Sequence, residues 1–158
     1  MALFLNEHKR ILLLLAKHKV KFILIGGYAV IYHGYERTTT DMDLWLKPTN
    51  ENRDQFIKAL RGIDIIESML HAIHKMDFTQ PQVMHIGKRP NKIDFLTKPR
   101  GLNFDKAAAK QVLLPLEDHH IAVLHFDDVI ISKMLLGRPQ DKADVDMLKK
   151  IQRYRNKE

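Results

Sequence analysis

The stretch FILIGGYAVIYHGYERTTTDMDLWL, from Phe22 to Leu46, carries the reading of the fold. Phe22 to Ile25 is a short, wholly apolar run, the pattern of a buried strand, and it ends at Gly26-Gly27. Tyr28 to His33 reads as a helix that Gly34 ends. Arg37 and three threonines, Thr38 to Thr40, then lead into a second run. There Met42, Leu44 and Leu46 alternate with Asp41, Asp43 and Trp45, the period of a half-buried strand. Pro48 stops it.

Outward from this stretch, Asn6 is positioned to cap a helix whose stripe is Ile11, Leu12, Leu14 and Leu15. Asn50 to Leu60 reads as a helix outside the sheet. Ile63, Ile65 and Ile66 suggest a further strand in the poorly patterned segment 62–82. Val83 to Ile86 and Lys92 to Leu96 flank a hairpin turn, and Val112 to Leu116 with His120 to Leu124 form a second pair turning at Glu117-Asp118. Asp127 is placed to cap a helix through Leu136, Gly137 and Pro139 break it, and Asp141 to Tyr154 forms the last helix, with Val145, Leu148 and Ile151 inward. This order predicts an α+β fold.

The 158 residues suit one domain, and 45% apolar with 28% charged residues is an ordinary balance for a chain that buries a core. The absence of cysteine excludes disulfides and thiolate metal sites. Ile11 to Ala16 is far shorter than the roughly 20 apolar residues that span a bilayer. Met1 to Leu5 has no basic leader region. The expectation is a cytoplasmic protein with no membrane partner. The net charge of +7 attracts polyanions such as nucleotides and nucleic acid, although a basic surface is also simply a soluble one.

Glycine lets backbone approach a ligand closely, and a helix start offers unpaired N–H groups, so Gly26-Gly27 suits phosphate. The same dipeptide also serves as a plain strand-to-helix turn. Residues two apart on a strand point the same way, so Asp41 and Asp43 share one face. Carboxylates there suit hard divalent cations, or form the wet face of a half-exposed strand. Trp45 continues that face, which is odd for a solvent surface. Asp94 lies in a strand-like run whose Ile93 and Phe95 face the core. If its strand lies beside that of Asp41, three carboxylates converge. Such a cluster repels itself and calls for a cation. Asp94 is then also a candidate base for an incoming hydroxyl.

Gly26-Gly27, thirteen intervening residues, Asp41-Met42-Asp43 and the distal Asp94 resemble the DNA polymerase beta-like nucleotidyltransferase superfamily. The fuller string Arg37-x-Thr39-x-Asp41-x-Asp43 is similar to small bacterial nucleotidyltransferase-like proteins, including abortive-infection toxin nucleotidyltransferases. Lys133, Arg138, Asp141 and Asp144 resemble the helical Lys-x-x-x-x-Arg-x-x-Asp-x-x-Asp segment of that set. The resemblance implies a single domain over residues 1–158, a small mixed β-sheet with helices packed on one side. It implies that Gly26 and Gly27 hold a nucleoside triphosphate, that Asp41, Asp43 and Asp94 bind two Mg2+ ions, and that Arg37, Thr39 and Lys133 belong to the nucleotide site. Arg37 and Lys133 would contact phosphate or position the loop. The implied activity moves a nucleoside monophosphate to a hydroxyl of an RNA, protein or small-molecule acceptor. A cognate antitoxin or partner subunit is an implied partner. The alternative is a catalytically silent module of the same fold that binds nucleic acid or a partner protein.

Nine histidines raise a zinc reading. His71 and His74 suit one helix face, yet no third ligand has a fitting spacing. They read as surface or packing residues, as does His33. Lys88, Arg89 and Lys92 crowd one hairpin beside Asp94, either to guide a polyanion or as a solvated tip. Lys149, Lys150, Arg153, Arg155 and Lys157 read as a solvated helix end.

Overall fold

The computed structural model describes residues 3–157. In chain order its elements are α1 (Asn6–Lys17), β1 (Phe22–Ile25), α2 (Gly26–Tyr32), β2 (Asp41–Leu46), α3 (Asn50–Leu60), α4 (Glu67–His74), β3 (Val83–Ile86), β4 (Lys92–Leu96), α5 (Phe104–Lys110), β5 (Val112–Leu116), β6 (His119–Val123), α6 (Phe126–Leu136) and α7 (Pro139–Arg155). The six strands form one mixed sheet in the order β3-β4-β2-β1-β6-β5. The pairs β2–β4 and β1–β6 are parallel and the others antiparallel. This is the expected α+β class.

Central position explains composition. All four residues of β1 are buried, which suits a strand covered on both faces. In β2, Met42, Leu44 and Leu46 are buried: Leu44 and Leu46 register with Leu24 and Phe22 of β1, and Met42 and Leu44 with Ile93 and Phe95 of β4. They face a helical layer in which Phe56 of α3 meets Phe95 with ring centroids 4.8 Å apart. Trp45 lies on the opposite face with the aspartates. There Phe104 of α5 meets it edge-on at 5.2 Å, and its Nε1 donates to the Thr97 carbonyl at 2.8 Å. One end of that face is therefore roofed, and the other end carries the carboxylates.

Several boundaries differ from the sequence expectation. Asn6 is the first residue of α1, and Leu5 occupies the cap. Packing sets this start, since buried Phe4 lies 4.9 Å from the Tyr28 ring. Asp127 is not the cap of α6 either: His125 Nδ1 accepts from the Asp127 amide at 3.1 Å. Phe126 meets His33 at 5.6 Å, so the helix begins where that contact holds the chain. The helix expected at Tyr28 starts at Gly26. Ile63, Ile65 and Ile66 form no strand; Ile66 precedes α4, whose Leu70 and Ile73 turn inward at helical spacing. Helices α4 and α5 have no counterpart in the sequence reading. The α3 boundaries and the β3–β4 and β5–β6 pairs agree with it. No helix among the described residues is long and apolar enough to cross a membrane.

Candidate active site

Strand register assembles the centre of the site. Asp43 of β2 stands opposite Ile25 of β1 and beside Asp94 of β4. Asp41 begins β2, beside Lys92. A cleft of about 470 Å³ opens over these positions. Its lining includes Gly26, Gly27, Arg37, Thr39, Asp41, Asp43, Asp94 and Lys133. All eight candidate residues therefore meet in one place, although they span more than one hundred positions of sequence.

Each arrives for a local reason. Gly26 has φ +68° at the β1–α2 turn, and a Cβ there would collide with Asp43 Oδ2. Only glycine passes this close to the carboxylate in that conformation. A Cβ on Gly27 would lie 2.7 Å from Thr39 Oγ1 and 3.3 Å from Arg37 Nη2, so its bareness admits those two side chains. Thr39 Oγ1 donates to the Asp41 carbonyl at 3.0 Å, fixing the entry into β2.

The carboxylates differ in their surroundings. Burial, followed by the charge of Asp94, pushes the Asp43 pKa up from 3.8 to about 6, with Lys133 opposing. No ion pair involves Asp43 among the described residues. Asp94 Oδ1 lies 3.5 Å from Lys92 Nζ. Asp41 faces the hairpin instead: Arg89 Nε and Nη2 donate to its Oδ1 and Oδ2 at 3.1 and 3.2 Å. The three acids thus share a face, and Arg89 holds Asp41. Among the described residues, no group of three or more His, Cys, Asp or Glu side chains lies close enough to hold a metal ion. The donor chemistry nonetheless fits a hard divalent cation, because Asp43 and Asp94 offer adjacent carboxylate oxygens and Asp43 lacks a counter-ion.

A second charged cluster closes the far wall. Arg37 Nε and Nη2 lie 2.9 and 3.0 Å from Asp144 Oδ1 and Oδ2. Lys133 Nζ is 3.2 Å from both Asp141 and Asp144. Arg138 Nε donates to Asp141 Oδ2 at 2.7 Å, and Gln140 Nε2 to Asp144 Oδ1 at 2.8 Å. Burial works to raise the Asp141 pKa, but hydrogen bonds from Arg138 and Lys133 outweigh it and hold it below the usual value. Arg37 and Lys133 therefore already have partners. The network ties the loop before β2 to α6 and α7.

Pro99, Arg100, Leu135 and Leu136 also line the cleft. Sequence reasoning missed them, since the turn that carries Pro99 and Arg100 has no periodicity and the two leucines follow the helical stripe of α6. His33 Nε2 contacts the Leu124 carbonyl at 2.7 Å, and the ring packs on Phe126. Its role is in packing. His71 and His74 are exposed on α4.

No protein-family model matches this chain, and neither does any curated protein sequence. Among solved structures, it is similar to an antigenic nucleotidyltransferase-like protein from Paracoccidioides brasiliensis. The identity is 12% and the TM-score 0.54, over 90% of this chain and 75% of that one. The chain has a nucleotidyltransferase-like fold.

Proposed function

We propose that this chain is a divalent-metal-dependent nucleotidyltransferase. It moves a nucleoside monophosphate from a nucleoside triphosphate to a hydroxyl of an RNA, protein or small-molecule acceptor. The observation that supports this most is the in-register pair Asp43 and Asp94, one of them without a counter-ion, in a cleft that Gly26 and Gly27 border. Asp43 and Asp94, joined by Asp41, would hold Mg2+. Bound there, the cation supplies charge neutralisation at the phosphates and activates the attacking oxygen.

In this reading the glycines admit the triphosphate close to the backbone. Asp94 accepts the acceptor hydroxyl's proton, the acceptor oxygen bonds to the α-phosphorus, and the bond from that phosphorus to the bridging oxygen breaks, releasing pyrophosphate. Thr39 and Arg37 hold the strand entry, and Lys133 holds the α6–α7 wall. The string Arg37-x-Thr39-x-Asp41-x-Asp43 favours a toxin role with a cognate antitoxin as the narrower form.

Incubation with each labelled nucleotide, Mg2+ and cell extract tests the proposal. The wild type labels an acceptor, and Asp43→Ala lowers the rate on the order of 10²- to 10³-fold, as loss of one transition-state stabilising group does. No labelling by the wild type with any of the four nucleotides sinks it and favours the silent module. In the toxin form, expression also slows host growth, and Asp43→Ala relieves this; unchanged growth removes that form alone.

A further inference from the structure

We propose that Arg89 is an exchangeable counter-ion: it caps Asp41 until a divalent cation takes that carboxylate, and then becomes a ligand of the substrate's polyphosphate. This rests on the transferase reading above. Arg89 sits in the β3–β4 hairpin, forty-eight residues from Asp41, and holds it with two parallel hydrogen bonds. Lys92, from the same hairpin, lies against Asp94. The hairpin thus supplies a cation to two of the three acids, and the third, Asp43, receives none.

Magnitude decides that the Arg89 contact is made to be released. Its side chain is 68% exposed. An ion pair so exposed is screened by solvent and weak. A divalent ion on adjacent carboxylates outcompetes it. Arg37 also faces both oxygens of Asp144, with one hydrogen bond from Nη2 at 3.0 Å, yet these partners are 17% and 0% exposed. Breaking that pair would strand a buried charge, so it stays closed.

A backbone hydrogen bond closes the hairpin turn. Gly87 takes φ +77°, with the Asn91 carbonyl 3.3 Å from where a Cβ would stand, and the Asn91 amide donates to the Lys88 carbonyl at 2.8 Å. Because the contact is made by the Arg89 guanidinium alone, rotation of that side chain is enough to release it. Arg89 borders the cleft through Asp41, which lines it with Asp43, Asp94 and the two glycines. A planar fork that fits a carboxylate also fits a phosphate with two hydrogen bonds. A lysine there would offer only a point charge.

The test measures Mn2+ binding by electron paramagnetic resonance, and tripolyphosphate binding by calorimetry with Mn2+ present. The proteins are wild type, Arg89→Ala, Arg89→Lys and Asp43→Ala. Without phosphate, Arg89→Ala binds Mn2+ about threefold to fivefold more tightly than wild type, the worth of an exposed pair. With Mn2+ present, it binds tripolyphosphate roughly tenfold more weakly, the worth of charged hydrogen bonds. Arg89→Lys lies between on both measures. If Arg89→Ala instead weakens Mn2+ binding, the arginine is a structural clip and the exchange is overturned. Wild-type Mn2+ binding that needs Asp43 but ignores Arg89 overturns the exchange alone. No Mn2+ binding by any of the four proteins overturns the transferase reading and the exchange together.

Discussion

Two acidic pairs stand in this molecule within reach of one cleft, and their surroundings are opposite. Asp141 and Asp144 are fully buried, and Lys133, Arg37 and Arg138 surround them with hydrogen bonds. Asp43 and Asp94 stand side by side with one distant lysine contact between them, at Asp94. The first pair is neutralised within the fold and ties α6 and α7 to the loop before β2. The second is left negative where the cleft opens. A buried charge that its own protein neutralises ties elements together, whereas one left unneutralised in a cleft marks a candidate binding site.

The comparison breaks most sharply at Asp144. We expect Asp144→Ala to destabilise the protein by about 3–5 kcal/mol, because Arg37 and Lys133 lose a buried partner. Urea unfolding reads this, and a loss under about 1 kcal/mol would show that the network is dispensable.

Asp43 should behave with the opposite sign. Its pKa is raised from 3.8 to about 6 in the folded protein. The folded state therefore holds the proton more tightly than the unfolded chain. Stability is highest where Asp43 is protonated and falls as pH rises from about 4 to about 6. Above that window the charge costs up to about 3 kcal/mol. In metal-free buffer at pH 8, Asp43→Asn should raise stability by about 2–3 kcal/mol, and the gain should shrink toward zero at pH 4. A gain that does not change with pH contradicts the assignment.

Arg138 sharpens the contrast inside the neutralised cluster. It binds the same Asp141 as Lys133, but its side chain is 66% exposed against 8% for the lysine. Arg138→Ala should cost about 1 kcal/mol or less, and its salt dependence should exceed that of Asp144→Ala, since exposed pairs are screened more. Equal losses would mean that exposure does not grade these contacts.

Much was legible in the chain because short-range chemistry fixed it. The apolar run of β1, the alternation of β2 and the glycines at its border name their own secondary structure. Spacing alone put Asp41 and Asp43 on one face. Trp45 reads as odd for a solvent face, and the structure gives the reason: Phe104 of α5, unforeseen in the sequence, covers it. The helix starts at Asn6 and Asp127 were misread because tertiary packing of Phe4 and Phe126 outweighed local capping preference. Segment 62–82 was misread because three isoleucines favour a strand locally, whereas burial of Leu70 and Ile73 selects a helix.

Residue order sets the types of group in the site and the strands that carry them. Which of those groups touch is set by how the strands and helices pack. The parallel pairing of β2 with β4 brings Asp94 beside Asp43 across fifty-one residues, because register is a property of two strands together. The same three-dimensional arrangement gives Arg37 and Lys133 to Asp144, gives Arg89 to Asp41, and leaves Asp43 without a counter-ion. Which charge is neutralised and which is left open depends on distance and burial, and neither is written in one dimension.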